Sequence, residues 1–393
     1  MSEINLVEET DTSIEVELSD ERIAEISEQL KDCSDKNFAK HLFSKQLTDP
    51  ETADFLSKIP KEERKEYLSL YAKYIQVETY SHLNDELLRD SLDDLSSSDI
   101  AFIVRDLESD DALEIIELLD EDRQKQIIRK LSKRTRVALE EGLSFPDDSA
   151  GRLMQRDSVA VPQFWTVAKT IDYLRTAKEE LPDNFSDIIV ISPTYHVLGE
   201  VPLRSLVQAK RTDRIDALIF ESPHPIPAEM DQEDVAKIFQ REDLMSAPVV
   251  DDDGRLIGVI MVDDIIDVIQ EEAQEDILKM GGIGQDDLYS AILSTTRSRF
   301  SWLFVNLLTA ILASVVISFF EATIQQVVAL AVLMLIVASM GGNAGTQALT
   351  VAVREIATND ISGTNAIRII WKECIVGFLN GVEVALLAGR VTA

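Results

Sequence analysis

The spacing of apolar residues divides the chain into three parts. Residues 20–147 repeat apolar positions three and four apart, as in 112–119 and 124–139, and this period predicts helices. From about residue 150 the pattern changes to alternating strands and helices, and from Trp302 it becomes long apolar runs. The pattern therefore predicts a multidomain membrane protein with an all-α superhelical N-terminal domain, an α/β region and an α-helical transmembrane domain.

The α/β region repeats itself. Residues 190–207 match residues 249–266 at a spacing of 59, which places Gly199 over Gly258 and Val190 over Val249. The second copy contains an Asp253-Gly254 pair between apolar runs, and this pair predicts a β-hairpin. The sequence thus predicts two copies of a strand–helix–hairpin–helix unit.

The apolar runs have the length that a membrane requires. Residues 302–320 carry no charge over about 19 residues, close to the roughly 20 needed to cross a bilayer as a helix. Second and third spans are predicted at 325–346 and 374–393. The third contains Asn380 and Glu383, so an amphipathic helix at the membrane interface remains an alternative.

Basic residues near these runs predict the orientation. They lie before the first span and between the second and third, and cytoplasmic loops are enriched in such residues: Arg297, Arg299, Arg354, Arg368 and Lys372. The N-terminal domains and the loop at about 350–372 are therefore expected in the cytoplasm, in contact with membrane lipid only through the helices that follow. Residues 1–19 lack a signal peptide pattern and are predicted to be a disordered tail.

Charge is distributed very unevenly. The net charge is −33, and the six Lys and Arg residues from Ala291 onward balance five acids there, so the acidity lies in residues 1–290. Such a surface repels nucleic acid and attracts cations, although ordinary solubilisation explains acidity equally simply. The two cysteines suggest no disulfide framework, and the four scattered histidines show no catalytic or metal-ligand spacing. We therefore expect neither a nucleic-acid partner nor an enzyme.

Acids cluster on one predicted helix that leads from the second repeat to the membrane. Asp264 and Asp267 are three residues apart, Glu272 and Glu275 are also three apart, and Asp276 is four after Glu272. Like charges at this spacing share a helix face and repel. A hard cation such as Mg²⁺, which takes carboxylate oxygens and retains water, would relieve the repulsion. The alternative is a solvated acidic helix face.

The second apolar run continues into small and polar residues. Glycines allow close helix approach, and amide groups with backbone carbonyls can hold the water shell of a cation. The alternative is simple close packing of helices. We predict a pore-lining role for this segment, which comprises Gly341, Gly342, Asn343, Gly345 and Gln347.

The order of these motifs resembles a known family. The two repeats look like a tandem cystathionine-β-synthase (CBS) pair, and FPDDSAGRLM at 145–154, VDDIIDVIQEEAQEDI at 262–277 and GGNAGTQALTVAVR at 341–354 are similar to the MgtE magnesium channel/transporter family. The domain boundaries that this resemblance implies are an N-domain at 20–147, CBS copies at 148–212 and 213–270, a linking helix at 263–299, and a transmembrane domain at 300–393.

The resemblance implies a function. It implies a homodimer in the inner membrane that takes up Mg²⁺ and is closed by cytoplasmic Mg²⁺. Five spans per subunit are implied, so three predicted spans make an incomplete membrane domain. The sensing residues carried over by position are Glu233, Asp243, Asp264, Asp267, Glu272, Glu275 and Asp276. Glu108 and Asp111 are added from the helical domain, by counting back from Arg136 and the AGRLM motif.

Two questions stay open at this point. CBS pairs often bind adenine nucleotides, and the sequence favours neither ATP nor an empty pair here. A membrane-tethered CBS nucleotide sensor without transport is the rival function. An anchor needs one plain apolar helix, however, and the GGNAGTQ segment would have no role in it.

Overall fold

The structure is a computed structural model that describes residues 18–32, 36–177, 181–182, 184–219, 224–281, 292–326, 329–357 and 366–392. The predicted tail at 1–19 lies outside these residues except for its last two. The chain divides into two compact units, Met1–Ile269 and Gln270–Ala393.

The first unit begins with an all-helical domain, as the sequence predicted. A π-helical turn at Leu42–Gln46 and a 3₁₀ turn at Val77–Tyr80 interrupt its helices. The helices are α1 Asp20–Asp32, α2 Lys36–His41, α3 Asp49–Lys58, α4 Lys61–Tyr71, α5 Asp85–Asp94, α6 Ser97–Asp106, α7 Ser109–Glu117, α8 Glu121–Ile128 and α9 Lys133–Gly142.

Short polar side chains determine where these helices begin. Thr48 and Glu51 form a capping box at α3, and Ser96, Asp120 and Ser132 accept backbone N–H bonds at the starts of α6, α8 and α9. Such caps satisfy amide groups that have no partner within the helix. The apolar faces then pack into one continuous core across the domain.

Two α/β repeats follow a short helix, α10 (Ala150–Leu153). In each repeat the first strand pairs parallel with the second, and the second pairs antiparallel with the third. The first repeat contains β1 Ala160–Pro162, α11 Val167–Thr176, β2 Asp187–Ile191, β3 Val197–Pro202 and α12 Leu203–Gln208, and the second contains β4 Ile226–Pro227, α13 Gln232–Glu242, β5 Ser246–Val250, β6 Leu256–Met261 and α14 Val262–Met280.

The register confirms the repeat spacing read from the sequence. Val190 faces Gly199 in the first repeat, and Val249 faces Gly258 in the second. The predicted hairpin turn joins β5 to β6, with Gly254 at a φ of 77°. Tyr195 holds the equivalent position in the first repeat at a φ of 67°, a conformation that costs a non-glycine residue about 1–2 kcal/mol.

The repeats pack together through the faces of their sheets. Ile189, Ile191 and Val259 form a small shared core. Beside it, the Ser246 hydroxyl donates a 2.9 Å hydrogen bond to Oδ2 of Asp187. These two residues are 59 apart, so equivalent positions of the two copies meet at their interface.

Long helices with exposed apolar side chains make up the second unit. It contains α15 Ile292–Ser318, α16 Glu321–Gln326, α17 Ala329–Ala357 and α18 Ala366–Thr392, of which α17 contacts α18. Among the described residues, one helix is long and apolar enough to cross a membrane, at Thr295–Ser318. Its large apolar residues are exposed, including Leu312 at 65%. Such a surface requires lipid or protein to cover it.

The predicted membrane elements fall on this unit with different bounds. The linking helix predicted at 263–299 corresponds to α14 and the start of α15, and residues 282–291 between them lie outside the described part. The spans predicted at 302–320, 325–346 and 374–393 fall on α15, on α16 with α17, and on α18. Since no Pro or Gly interrupts residues 292–318, the helix begins ten residues before the apolar run.

Candidate functional site

Acidic side chains from two helix starts meet within the first unit. The first turn of α7 carries Asp110 and Asp111, and the first turn of α14 carries Asp263 and Asp264. Acids at helix N-termini are ordinarily stabilised by the helix dipole. Here, however, each pair raises the pKa of acids in the other helix, so the pairs face each other. We call these four residues with Glu108 and Asp267 the acidic junction.

Asp110 is the most strongly perturbed member of the acidic junction. Loss of hydration raises the pKa of its carboxyl well above the usual value, and repulsion from Asp264, Asp111 and Glu108 raises it further. Its Oδ1 atom is buried, and no hydrogen-bond donor among the described residues reaches it. A buried carboxylate oxygen without a partner is costly, and a cation or a proton would satisfy it.

Asp264 lies opposite, at the start of α14. Burial raises its pKa to about 8, with added repulsion from Asp263, Asp111 and Glu108. The Met261 N–H donates a 3.3 Å hydrogen bond to Asp264 Oδ2, which favours the charged form but does not offset the burial. The carboxylate is therefore held where its negative charge is poorly stabilised.

Asp111 of α7 and Asp267 of α14 are two further acids of the junction whose pKa is raised. Burial raises the pKa of Asp111 to about 6, and the nearby His82 lowers it, while Glu78, Asp263 and Asp267 raise it. The pKa of Asp267 is raised by burial and by Asp263, and it is lowered by His82. His82 is thus close enough to acids of both helices to offset part of their repulsion.

Glu108 ties the helical domain to the second repeat. Its Oε2 accepts a 2.6 Å hydrogen bond from Nε2 of Gln155. Gln155 is buried and exchanges two 2.8 Å backbone hydrogen bonds with Val259 of β6. Beside this contact, the Arg156 N–H donates a 2.8 Å hydrogen bond to Oγ of Ser109. The start of α7 is therefore fixed against the strand that leads directly into α14.

Gly258 makes this close approach possible. A Cβ atom at this position would lie 2.7 Å from the Gln155 carbonyl oxygen and 2.7 Å from the Met154 sulfur. Only glycine leaves room for the segment carrying Gln155 beside β6. Gly258 does not have a positive φ, unlike the equivalent Gly199 of the first repeat, whose φ is 156°. Gly258 is thus required by packing rather than by backbone conformation.

The donor chemistry of the acidic junction fits a hard divalent cation. Its oxygens are carboxylates, and Mg²⁺ binds through one or two carboxylates while keeping several waters. Within the described part of the chain, no three or more His, Cys, Asp or Glu residues are already gathered as a metal cluster. A cation would therefore bind partly through its own water shell, with the unsatisfied Asp110 oxygen as one ligand.

Three segments of the chain match known protein families. Residues 47–148 match the family described as the MgtE intracellular N domain, residues 216–271 match the CBS domain, and residues 334–393 match the family described as a divalent cation transporter. The magnesium transporter MgtE of Thermus thermophilus is 34% identical over 265 residues, which is 66% of this chain and 59% of that protein. The same-named protein of Bacillus subtilis is 32% identical over 252 residues, 64% of this chain and 55% of that protein.

In these segments the chain is similar to the MgtE family. It spans less than two thirds of the length of the curated relatives it matches. Two solved structures resemble it with a TM-score of 0.57: the cytosolic domain of the Mg²⁺ channel MgtE in complex with ATP (26% identical, 63% of this chain and 99% of that chain) and the soluble part of a magnesium transporter (25% identical, 64% and 98%). These two structures support the predicted helical domain and CBS pair as the fold of this part of the chain.

The predicted sensing residues fall in three places. Glu108, Asp111, Asp264 and Asp267 lie in the acidic junction. Glu233 and Asp243 lie at opposite ends of α13, where Glu233 pairs with Lys237 at 3.0 Å and Asp243 is exposed as the helix C-cap with a φ of 52°. The remaining three lie on the second half of α14, in the other unit, and are Glu272, Glu275 and Asp276. Oε1 of Glu275 is 2.5 Å from Nζ of Lys279.

The sequence reading missed two members of the acidic junction, Asp110 and Asp263. Both adjoin predicted residues, but the sequence analysis assigned no role to either of them. The signal that could have found them is the pairing of two consecutive acids in the first turns of α7 and α14.

The predicted pore residues all lie within α17. A Cβ atom at Gly341, Gly342 or Gly345 would meet nothing within 4 Å. Asn343 and Gln347 lie on the same helix. These glycines therefore leave an open surface for another helix, and their pore-lining role stays a prediction.

Proposed function

We propose that this chain mediates Mg²⁺ uptake across the cytoplasmic membrane and that cytoplasmic Mg²⁺ closes it by binding at the acidic junction. The observation that carries the sensing step is the buried, unpartnered Oδ1 of Asp110 facing Asp264. Similarity to the MgtE family and to relatives named magnesium transporters supports the transported ion.

The mechanism follows from repulsion between the two helix starts. When Mg²⁺ is plentiful, the ion bridges carboxylates of α7 and α14 and holds the helical domain against the second repeat. When Mg²⁺ is scarce, the uncompensated charges separate the domains, and α14 transmits this change toward the membrane helices. Shifting a gate from 1% to 99% closed requires about 5.5 kcal/mol of differential binding, which several weak sites can supply together.

The membrane arrangement is part of the same proposal. The chain acts as a homodimer in the inner membrane, with its helical domain and CBS pair in the cytoplasm and the open face of α17 lining the pore. The apolar surface of Thr295–Ser318 and the Arg297 and Arg299 residues at its start support this orientation.

ATP is a second proposed ligand, at the CBS pair. It is supported by the solved relative that contains ATP. A narrow cleft lies between the repeats, lined by residues that include Asn184, Ser186 and Asp187, but its internal space is about 10 Å³. A nucleotide would therefore have to widen the cleft, and calorimetric titration with ATP would detect this binding.

Limited proteolysis of the full chain over a Mg²⁺ titration tests the sensing step. Millimolar Mg²⁺ is expected to protect the connection between the helical domain and the repeats. The Asp110→Asn and Asp264→Asn variants should need clearly more Mg²⁺ for the same protection. Asp122→Asn, which alters an exposed acid in the first turn of α8, is the matched control. Equal Mg²⁺ protection of the wild type and both junction variants would contradict the proposal.

Uptake into liposomes tests the transport step separately. Liposomes containing the protein and a Mg²⁺-sensitive dye should take up Mg²⁺ faster than protein-free liposomes. A protein that shows Mg²⁺-dependent protection but no uptake would favour the rival function, a membrane-tethered sensor.

A further inference from the structure

A second cleft in the first unit is basic, although the chain carries a net charge of −33. It lies between the end of α6, the start of α7, α9 and the segment that follows α10, and it has a volume of about 850 Å³. Its charged lining comprises four cations and one acid: Arg105, Lys133, Arg134, Arg156 and Asp157. We call it the basic cleft. Its volume falls in the range of small-molecule sites.

Three of the cations are anchored by acids at or near the rim. Arg105 donates two 2.7 Å hydrogen bonds to Asp106, Arg134 pairs with Asp157 at 2.6 Å, and Arg156 pairs with Glu141. The Arg134–Asp157 pair is largely exposed, so it contributes little stability. Because exposed pairs of this kind exchange partners readily, the guanidinium groups remain available to a stronger anion.

Lys133 differs from the other three. No acid among the described residues forms an ion pair with it. It begins α9, a ten-residue helix whose first turn has no acid and carries Arg134 next to it. The helix dipole disfavours cations at this end and favours anions. The neighbouring helices α7 and α8 have acids in their first turns.

Apart from Ser109 and Thr135, the remaining lining of the basic cleft is apolar. Val137, which is 41% exposed, comes from α9, and Ile257 comes from β6. A simple inorganic ion would leave this surface wet, whereas an organic phosphate would cover it while its phosphate meets Lys133 and the arginines.

We propose that the basic cleft binds a small organic phosphate, and that the bound ligand holds the helical domain against the second repeat. Arg105 and Lys133 belong to the helical domain, while Arg156 and Ile257 belong to the segment that packs on or forms β6. A ligand that contacts both walls binds the docked arrangement better than the separated one. Ser109, which also lines the cleft, directly precedes Asp110 of the acidic junction. The link to gating rests on the proposed function.

Calorimetric titration of the full chain in Mg²⁺-free buffer with chelator tests the binding. The probes are phenyl phosphate, which has an apolar body but no adenine, and inorganic phosphate. Phenyl phosphate is expected to bind more tightly than inorganic phosphate. The Lys133→Gln/Arg105→Gln variant should bind it at least about tenfold more weakly, while Lys133→Arg retains the affinity because it retains the charge.

Lys125→Gln is the matched control, because Lys125 lies on α8 outside the cleft and pairs with Glu121. It should bind phenyl phosphate as the wild type does. Equal affinity of the wild type and the double variant, or equal weakening by the control, would overturn the proposal, provided that thermal melts show each variant folded. Since this titration contains no Mg²⁺, binding of Mg²⁺ at the acidic junction cannot account for its outcome.

The docking effect is read by proteolysis without Mg²⁺. Phenyl phosphate should slow cleavage between the helical domain and the repeats in the wild type and in Asp110→Asn, but not in the double variant. Binding without any such protection would overturn the second half of the proposal.

Discussion

The side chain of Gln155 donates a 2.6 Å hydrogen bond to the Glu108 carboxylate, and this bond joins the helical domain to the second repeat. Gln155 is itself fixed by two backbone hydrogen bonds to Val259. Because β6 runs directly into α14, the same few residues position both faces of the acidic junction.

Removing this bond should loosen the domain contact. Gln155→Ala is expected to lower the stability of the contact between the helical domain and the second repeat by about 1–3 kcal/mol, because the variant lacks a buried amide and its hydrogen bond to a charged group. Limited proteolysis in chelator should detect faster cleavage between the helical domain and the repeats. Gln124→Ala removes a side-chain bond to Leu119 within the helical domain and is the control. If both variants were cleaved at the same rate, the bond would have no specific role in docking.

Stability of the acidic junction should depend on pH in a defined direction. The pKa of Asp264 is raised from 3.8 to about 8, so the folded state binds a proton more tightly than the unfolded chain between these values. Its contribution therefore falls as pH rises from about 4 to about 8, by at most about 1.4 kcal/mol per pH unit for one group. Without Mg²⁺, the wild type should lose more stability between pH 6 and pH 8 than Asp264→Asn does.

Mg²⁺ should reverse this trend. The ion competes with protons for the carboxylates, so its stabilising effect is expected to be larger at pH 8 than at pH 6. Thermal melts at both pH values, with and without Mg²⁺, measure the difference. A Mg²⁺ effect that is equal at both pH values would argue against the perturbed carboxylates as ligands.

Filling the space at Gly258 should disturb the same contact. Gly258→Ala places a methyl group 2.7 Å from backbone and sulfur atoms, so overpacking should cost about 1–3 kcal/mol and displace Gln155. The melting temperature of the first unit is expected to fall. Gly377→Ala of α18, whose Cβ would meet nothing within 4 Å, should leave that melting temperature unchanged. An unchanged melting temperature for Gly258→Ala would show that Met154 and Gln155 can move without cost.

The hydrogen bond between the repeats offers a further test. In Ser246→Ala, Oδ2 of Asp187 keeps the 2.8 Å hydrogen bond that the Ser186 hydroxyl donates. It loses the hydrogen bond that crosses from the other repeat. A loss of about 1.5–3 kcal/mol is expected, because the acceptor is a charged carboxylate. Chemical denaturation measures it against Ser69→Ala, whose hydroxyl bonds only a carbonyl of its own helix. Equal stability of the two variants would contradict an inter-repeat role for Ser246.

Much of the fold could be predicted from local signals. The 3.6-residue period predicted the helical domain, and the spacing of 59 predicted the two repeats. The Asp253-Gly254 pair predicted the hairpin turn. The bounds of the helices in the second unit could not be predicted as closely. Hydropathy marks only the apolar run, whereas α15 also includes the polar residues before it, such as Arg297 and Arg299.

The candidate site was predicted in part. Resemblance to the family indicated Glu108, Asp111, Asp264 and Asp267, which the fold does bring together. It also indicated Glu233 and Asp243, which α13 separates by its full length. Asp110 was missed, because an acid in the first turn of a helix is common and its sequence neighbourhood gives no sign of burial.

The sequence by itself determined the helix and strand periods, the duplication, the apolar runs and the acidic charge, because these depend on residues close together in the chain or on composition. Only the tertiary structure decided that Asp110 faces Asp264, more than 150 positions away, and that Gln155 joins Glu108 to β6. The cost of burying charges depends on which helix starts approach each other, and that approach is set by packing around Gly258 and the second repeat.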